Sequence, residues 1–204
     1  MLKRAQHLAA LQKATKFDLK KFREAIPQLL EHAVNVADIS KVPKTLLELG
    51  VRFVIVPSLP ESFLDGVAFN PDGNPVILLS LRYDRIDNFW FTLMHEIAHI
   101  YSGHRGVFID NDLEQEGEGD EEREADDRAK NWLVDSTEYR TFVNVTRPYF
   151  ARVKILNFAQ KIKRHPGIVL GRLHREKHVS YAHLRPMLEK VKPILSEWID
   201  TPHA

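Results

Sequence analysis

Residues 91–103, FTLMHEIAHIYSG, contain two histidines four positions apart, with a glutamate directly after the first histidine. On an α-helix, positions i and i+4 lie one turn apart on the same face, so His95 and His99 can bind one metal ion together. Glu96 is rotated by about 100° from His95, where it can reach a water molecule on that ion without being a ligand. This spacing predicts a metal centre with two imidazole ligands and with Glu96 as the catalytic base.

The neighbouring residues predict that this helix is buried. Apolar side chains occur on nearly all of its faces, at Phe89, Trp90, Leu93, Met94, Ile97, Ala98 and Ile100. Imidazole and carboxylate groups are costly to bury without partners, and a metal ion would compensate the histidines for their lost solvation. The alternative is that His95 and His99 are unrelated core residues, each bonded to the backbone. The chain has no cysteine, so a zinc site must use histidine and carboxylate ligands.

A catalytic zinc site needs a third protein ligand and one open position, and the acidic segment downstream offers Glu121, Glu122 and Glu124. The apolar residues that follow recur at +3, +7 and +11 from Glu122, at Ala125, Ala129 and Leu133. Glu122 therefore shares the inward face of this second helix and is the predicted third ligand, with Glu121 as second choice. Asp126 lies one turn beyond Glu122 and is expected to accept a hydrogen bond from a ligand imidazole.

The spacing H-E-x-x-H is the pattern of zinc metalloproteases. Hydrolysis of a peptide bond at such a site develops negative charge on the carbonyl oxygen, and that charge needs a hydrogen-bond donor. The sequence offers four candidate donors without ranking them: Tyr83, Tyr101, His104 and His165. Each of them could equally be a surface or packing residue.

The elements that must position these residues are helices, then a small sheet, then helices again, which indicates the α+β class. VRFVIVP (residues 51–57) is typical of a strand, and GVAFNPDGNPVILLSL (66–81) of a hairpin around a turn-rich centre. The metal-binding helix is expected to be capped by Asp84 or Asp87 and to end at Gly103. A second helix is predicted from near Glu121, and more helices beyond it.

These elements divide the chain into three predicted parts. Residues 1–49 form an N-terminal helical segment. Residues 50–140 form the core, with a short, mostly antiparallel sheet and the helix that carries H-E-x-x-H. Residues 141–204 form a C-terminal helical segment packed on that core.

FTLMHEIAHI followed by EEREADDRAKNWLV resembles the ImmA/IrrE family of metallopeptidases, whose pattern is H-E-x-x-H and then E-x-E-A-[N/D]-x-x-A. The hairpin region and HPGIVLGRL also resemble members of that family in which this domain follows a helix-turn-helix repressor, some of them HigA-like antitoxins. The resemblance is best over residues 64–134 and weaker over 165–173. It implies a zincin-like fold, zinc ligands at His95, His99 and Glu122, and Glu96 as catalytic base.

The same resemblance implies a protein substrate, a DNA-binding helix-turn-helix repressor encoded nearby. Site-specific cleavage of such a regulator would serve stress, mobile-element or phage-defence control. In zincin-like folds an edge strand beside the cleft can hold an extended substrate. The strand PVILLSL (75–81), which comes just before the metal-binding helix, is expected to have this role.

A different class of function remains open for the basic segment KIKRHPGIVLGRLHREKH (161–178). It could be a helix-turn-helix that contacts DNA phosphates, through Lys161, Lys163, Arg164, Arg172 and Arg175. The protein would then be a non-proteolytic regulator or an antitoxin-like protein. The large apolar share of its second helix favours packing onto the core instead.

Composition narrows the partners further. The formal net charge is +1, so the molecule as a whole is not an evident binder of polyanions. No apolar run approaches the roughly 20 residues that span a bilayer, so we expect no membrane partner. The absence of cysteine fits a cytoplasmic location as the simplest expectation.

Overall fold

A computed structural model describes residues 1–57, 64–103 and 118–200. In these residues, three α-helices precede the first strand along the chain: α1 (Leu2–Ala10), α2 (Leu19–Leu30) and α3 (Val42–Glu48). The strands are β1 (Arg52–Ile55), β2 (Gly66–Phe69) and β3 (Val76–Leu79). The remaining α-helices are α4 (Ile86–Ser102), α5 (Glu118–Leu133), α6 (Ser136–Thr146), α7 (Arg152–Lys161) and α8 (Pro166–Arg175). Short 3₁₀ helices occupy Glu31–Ala33, Val36–Lys41, Arg185–Met187 and Ser196–Trp198. The predicted α+β class is confirmed.

The three strands form one mixed sheet in the order β1-β3-β2. The predicted hairpin is confirmed, since β2 and β3 pair antiparallel with Gly66 opposite Leu79 and Phe69 opposite Val76. The expectation of a mostly antiparallel sheet is wrong, because β1 pairs with β3 in parallel. The expectation that residues 75–81 form an edge strand is also wrong. All four residues of β3 are buried, as is typical of a central strand that is covered on both faces.

Helix α4 begins at Ile86 after Arg85, whose side chain makes no capping hydrogen bond. The predicted caps Asp84 and Asp87 are wrong for a physical reason: both carboxylates are used elsewhere. Asp84 Oδ1 accepts hydrogen bonds from two backbone amides of the C-terminal segment, at 2.8 Å each. Asp87 lies inside the first turn and accepts two hydrogen bonds from Arg85, at 3.0 and 2.5 Å. Gly103 ends the helix with a φ of 75°, as predicted.

Helix α4 lies at the centre of the main hydrophobic core, where Phe89, Trp90 and Leu93 are almost completely buried. The other face of the sheet packs against α1 in a second, smaller cluster. The C-terminal helices share the main core, and α8 approaches α4 very closely. A Cβ atom at Gly171 would lie 2.4 Å from the Cβ of Asp87, so this contact requires glycine. In the described parts of the chain, no helix is both long enough and apolar enough to cross a membrane. The division at residues 49 and 140 stays a prediction.

Candidate metal centre

Helices α4 and α5 bring His95, His99 and Glu122 together, as the sequence predicted for these residues. The Nε2 atoms of His95 and His99 lie 3.0 Å apart. Glu122 places Oε2 at 3.1 Å from Nε2 of His95 and Oε1 at 3.3 Å from Nε2 of His99. Across the described residues, this is the cluster whose ligand atoms all lie within 4.8 Å of one another. Two imidazole nitrogens and one carboxylate thus converge on a single point.

These separations can be tested against the geometry of a bound metal. Tetrahedral ligand atoms at 2.0–2.2 Å from a zinc ion lie roughly 3.3 Å from one another. The two histidine nitrogens are 3.0 Å apart, close to that value, and each of them lies 3.1 or 3.3 Å from a different oxygen of Glu122. One ligand atom from each residue lies within 4.8 Å of the other two. His95 has carboxylate partners on both ring nitrogens, which differs from the alternative of a core histidine bonded to the backbone. The three side chains could therefore hold a metal ion and leave a fourth position open.

Asp126 lies where the sequence predicted a supporting carboxylate. Its Oδ1 atom is 3.0 Å from Nδ1 of His95, and Lys130 donates to its other oxygen at 3.3 Å. The hydrogen bond from His95 is the main cause that lowers the pKa of Asp126, and Lys130 adds to it. A proton held on Nδ1 by Asp126 leaves the Nε2 lone pair of His95 free for a metal.

The two neighbouring glutamates point elsewhere. Glu124 accepts hydrogen bonds from Ser102 at 2.8 Å and from Arg128 at 2.7 Å. Glu121 is exposed and does not belong to the cluster. The residues at +3, +7 and +11 from Glu122 are all buried, so the helical phase deduced from the sequence is confirmed.

Glu96 lies beside this cluster and is only 6% exposed. Burial raises the pKa of its carboxyl to about 7, against the opposing effects of His95 and of a hydrogen bond from the backbone amide of Ala68. Glu122 contributes a smaller rise. A carboxyl group with a pKa near neutrality can both accept and release a proton in that range, which suits a general base.

Strand β2 gives Glu96 its surroundings, and sequence reasoning missed this contribution. A Cβ atom at Gly66 would lie 2.9 Å from Oε1 of Glu96 and 2.6 Å from Cγ2 of Thr92. Ala68, two residues along the same strand, donates its backbone N–H to Glu96. The glycine at the start of a short strand was the available signal, since it often marks a close approach of another group to the backbone.

The candidate oxyanion donors have contacts away from the cluster. The Tyr101 ring lies under the guanidinium groups of Arg23 and Arg128, at 5.0 and 4.7 Å. His165 caps α8 by accepting from the amide of Gly167 at 3.1 Å, and its Nε2 atom lies 3.0 Å from a carboxylate oxygen of Glu189. Tyr83 is largely exposed and stacks with Arg82. His104 lies outside the described residues.

The basic C-terminal segment fixes the end of α5. Arg164 donates to the carbonyl oxygens of Leu133 and Trp132 at 3.0 and 3.1 Å. Arg172 donates to the carbonyl of Val134 at 2.7 Å and more weakly to that of Lys130 at 3.5 Å. The last carbonyls of a helix have no amide partner within it and need such donors, although the carbonyl of Lys130 already accepts from the Val134 amide at 2.9 Å. Two of the five residues considered as phosphate contacts therefore support the helix that carries Glu122 and Asp126.

The comparison with known families falls on this same region. Residues 87–171 match the family model described as Peptidase U49. The matched stretch begins in the first turn of α4 and ends in α8, so it contains the whole cluster and Arg164, and it stops one residue before Arg172. It supports a peptidase, which agrees at that level with the resemblance stated from the sequence. No curated protein matches the chain.

Proposed function

We propose that this protein is a zinc-dependent endopeptidase. The observation that carries the proposal is the convergence of His95, His99 and Glu122 beside the buried carboxyl of Glu96. This group of residues lies inside the stretch that matches a peptidase family. A set of two histidines and one glutamate with an open position is the donor set of catalytic zinc in many metallopeptidases.

The chain's own residues have separate tasks in this mechanism. When bound by His95, His99 and Glu122, zinc supplies a Lewis acid for the scissile carbonyl and brings the pKa of a bound water toward about 7. Glu96 accepts a proton from the attacking water and delivers it to the leaving amine. The amide of Ala68 orients the Glu96 carboxylate, and Asp126 keeps His95 in the tautomer whose Nε2 atom is a ligand.

Strand β2 is the best candidate for holding an extended substrate. The backbone amide of Ser80 donates to the carbonyl of Asp65, so the backbone groups of Asp65 face β3. Because backbone groups alternate in direction along a strand, Gly66 and Ala68 direct theirs to the opposite side. Ala68 indeed donates to Glu96 there. A peptide that adds to this edge would lie against the catalytic base, through the general mode of β-strand addition.

The proposed substrate is a DNA-binding repressor or another regulatory protein, encoded near this gene and cleaved at one site in stress, mobile-element or phage-defence control. Support comes from the resemblance of the H-E-x-x-H and E-x-E-A-D segments to ImmA/IrrE members. The non-proteolytic regulator is less well supported, because Arg164 and Arg172 are turned onto α5 and Lys161 pairs with Glu138 at 3.0 Å.

The test compares the wild type with Glu96→Gln on repressors encoded beside the gene, with Glu121→Gln as a matched control on an exposed glutamate. We expect zinc-loaded wild type and the control to cleave. Glu96→Gln should keep its zinc and bind the repressor, yet lose about a hundredfold to ten-thousandfold in turnover, as is usual for loss of a general base. Equal cleavage by Glu96→Gln would refute the mechanism. Binding of operator DNA without cleavage by any of the three proteins would favour the regulator.

A further inference from the structure

A cavity of about 340 Å³ lies between the first turns of α4, the end of α5 and α8. Its walls are largely apolar and include Phe91, Leu133, Val134 and Ile168. None of these residues has a role in the proposed chemistry. The cavity nevertheless adjoins the metal centre, because Phe91 precedes His95 by one helical turn and their ring centroids are 6.2 Å apart.

One charged group in the cavity differs from the others. Most charges in its lining are paired within 4 Å: Asp87 with Arg85, Asp127 with Lys130, and Glu176 with Arg172. Arg175 also lines the cavity, and no carboxylate of the described residues lies within ion-pair distance of it. Its guanidinium carbon lies 3.6 Å from the centroid of the Phe91 ring. An aromatic ring covers one flat face of a guanidinium group, and the N–H groups along the edge of the guanidinium can still bind an anion.

Arg175 is also within electrostatic reach of the metal centre. Partial desolvation lowers the pKa of its guanidinium, although the residue as a whole is exposed, while the negative charges of Asp126 and Asp87 act in the opposite direction. Asp126 is the residue that supports His95. The four residues from Phe91 to His95 span about 6 Å along the helix axis, and an extended peptide advances about 3.3 Å per residue. A peptide bound at the metal centre would therefore reach this cavity with a side chain about two residues from the cleaved bond.

We propose that this cavity is a subsite for an aspartate or glutamate side chain of the protein substrate, with Arg175 binding the carboxylate. The inference rests on the proposed peptidase function and adds a substrate preference to it. A guanidinium edge matches a carboxylate in a two-point hydrogen-bonded pair. The apolar walls accept the methylene groups that lead to the carboxylate, and a basic side chain would meet Arg175 with like charge.

The test measures binding and needs no hydrolysis. The zinc-loaded Glu96→Gln protein, the parent of this experiment, is used to select peptides from a random decapeptide library displayed on messenger RNA. The same selection is made with two double variants, in which the parent also carries either Arg175→Met or Arg175→Glu. Arg152→Met is the matched control, because Arg152 is an exposed arginine at the start of α7, away from the cavity. Zinc content and thermal unfolding are recorded for every variant.

We expect the parent and the Arg152→Met control to enrich aspartate or glutamate at one position. Arg175→Met should reduce that preference by about tenfold to a hundredfold, which corresponds to loss of a charge-assisted hydrogen bond. Arg175→Glu should select lysine or arginine at the same position, a gain that also shows the variant to be folded. The inference is overturned if the parent selects no acidic residue, or if Arg175→Met and Arg175→Glu keep the parent's preference.

The two proposals fail separately. Acid selection that depends on Arg175, found together with no cleavage of any neighbouring repressor, would overturn the peptidase proposal and leave the subsite as a binding site. Cleavage that depends on Glu96, found with a preference that ignores Arg175, would overturn the subsite alone.

Discussion

Burial of Glu96 predicts a pH-dependent loss of stability in the metal-free protein. Its carboxyl is 6% exposed and its pKa is raised by burial from an ordinary 4.5 to about 7. The folded protein therefore binds this proton more tightly than the unfolded chain. The stability that the protonated carboxyl provides is fully present below pH 4.5 and is lost as the pH rises through 7. Each pKa unit corresponds to about 1.4 kcal/mol, so the whole effect is about 3 kcal/mol.

The assay is urea unfolding of the chelator-treated wild type and Glu96→Gln between pH 5 and pH 8. The glutamine oxygen can still accept from the Ala68 amide, and the amide group does not titrate. Because part of the effect has already developed at pH 5, Glu96→Gln should gain about 2–3 kcal/mol over the wild type across this range. Glu121→Gln serves as control, since that glutamate is exposed.

His95 contributes in the same direction in both proteins. Burial alone would lower its pKa, but the hydrogen bond to Asp126 and the charges of Glu96 and Glu122 raise it. A raised histidine pKa also stabilises the folded state at low pH and loses that effect as the pH rises. The comparison with Glu96→Gln removes the share of this contribution that comes from Asp126 and Glu122, and it retains the share that comes from the charge of Glu96. If the free-energy difference between the two proteins stayed constant from pH 5 to pH 8, the carboxyl would not be buried as described.

Three further predictions concern the metal and the helix that supports it. Elemental analysis of protein purified without chelator should find close to one equivalent of zinc, and His99→Ala should lose most of it; equally low contents in both proteins would contradict the site. Loss of a residue that only supports a metal ligand typically weakens metal affinity by roughly 10–100-fold. Glu122→Gln removes a ligand and should therefore weaken zinc affinity by more than that, measured by competition with a chromogenic chelator. Glu121→Gln should leave the zinc affinity unchanged, and equal losses in the two variants would show that the helical phase is wrong. Arg172→Met should lower the free energy of unfolding by about 1–3 kcal/mol, because it removes the side-chain donor from the Val134 carbonyl directly after α5. It should also weaken zinc binding. Arg152→Met is the control, and no difference between these two variants would refute the role of Arg172 in holding the end of α5.

The residues of the candidate centre were largely predictable because they obey local helical geometry. The four-residue spacing of His95 and His99 sets their shared face, and the apolar repeat after Glu122 sets the inward face of α5. Burial of Ala125 and Ala129 confirms that phase. Local periodicity suffices when the ligands lie on two helices whose buried faces can be read directly.

The positions set by distant parts of the chain were not predictable in this way. β3 is central rather than at an edge because β1, more than twenty residues earlier, pairs with it. Asp84 does not cap α4 because it is bonded to amides 107 and 108 residues away. The basic character of residues 161–178 was correctly noted, but Arg164 and Arg172 find carbonyls of another helix, and no local pattern reports such partners.

The arginine contacts at the end of α5 imply a reciprocal coupling along that helix. A metal would hold α5 through Glu122 near its start, and Arg164 and Arg172 hold it near its end. If the contacts of those arginines increase the affinity for the metal, then metal binding must stabilise the same contacts, and with them the α7–α8 region, by the same free energy. Amide hydrogen exchange in α8 should therefore slow on addition of zinc, although α8 carries none of the three ligands.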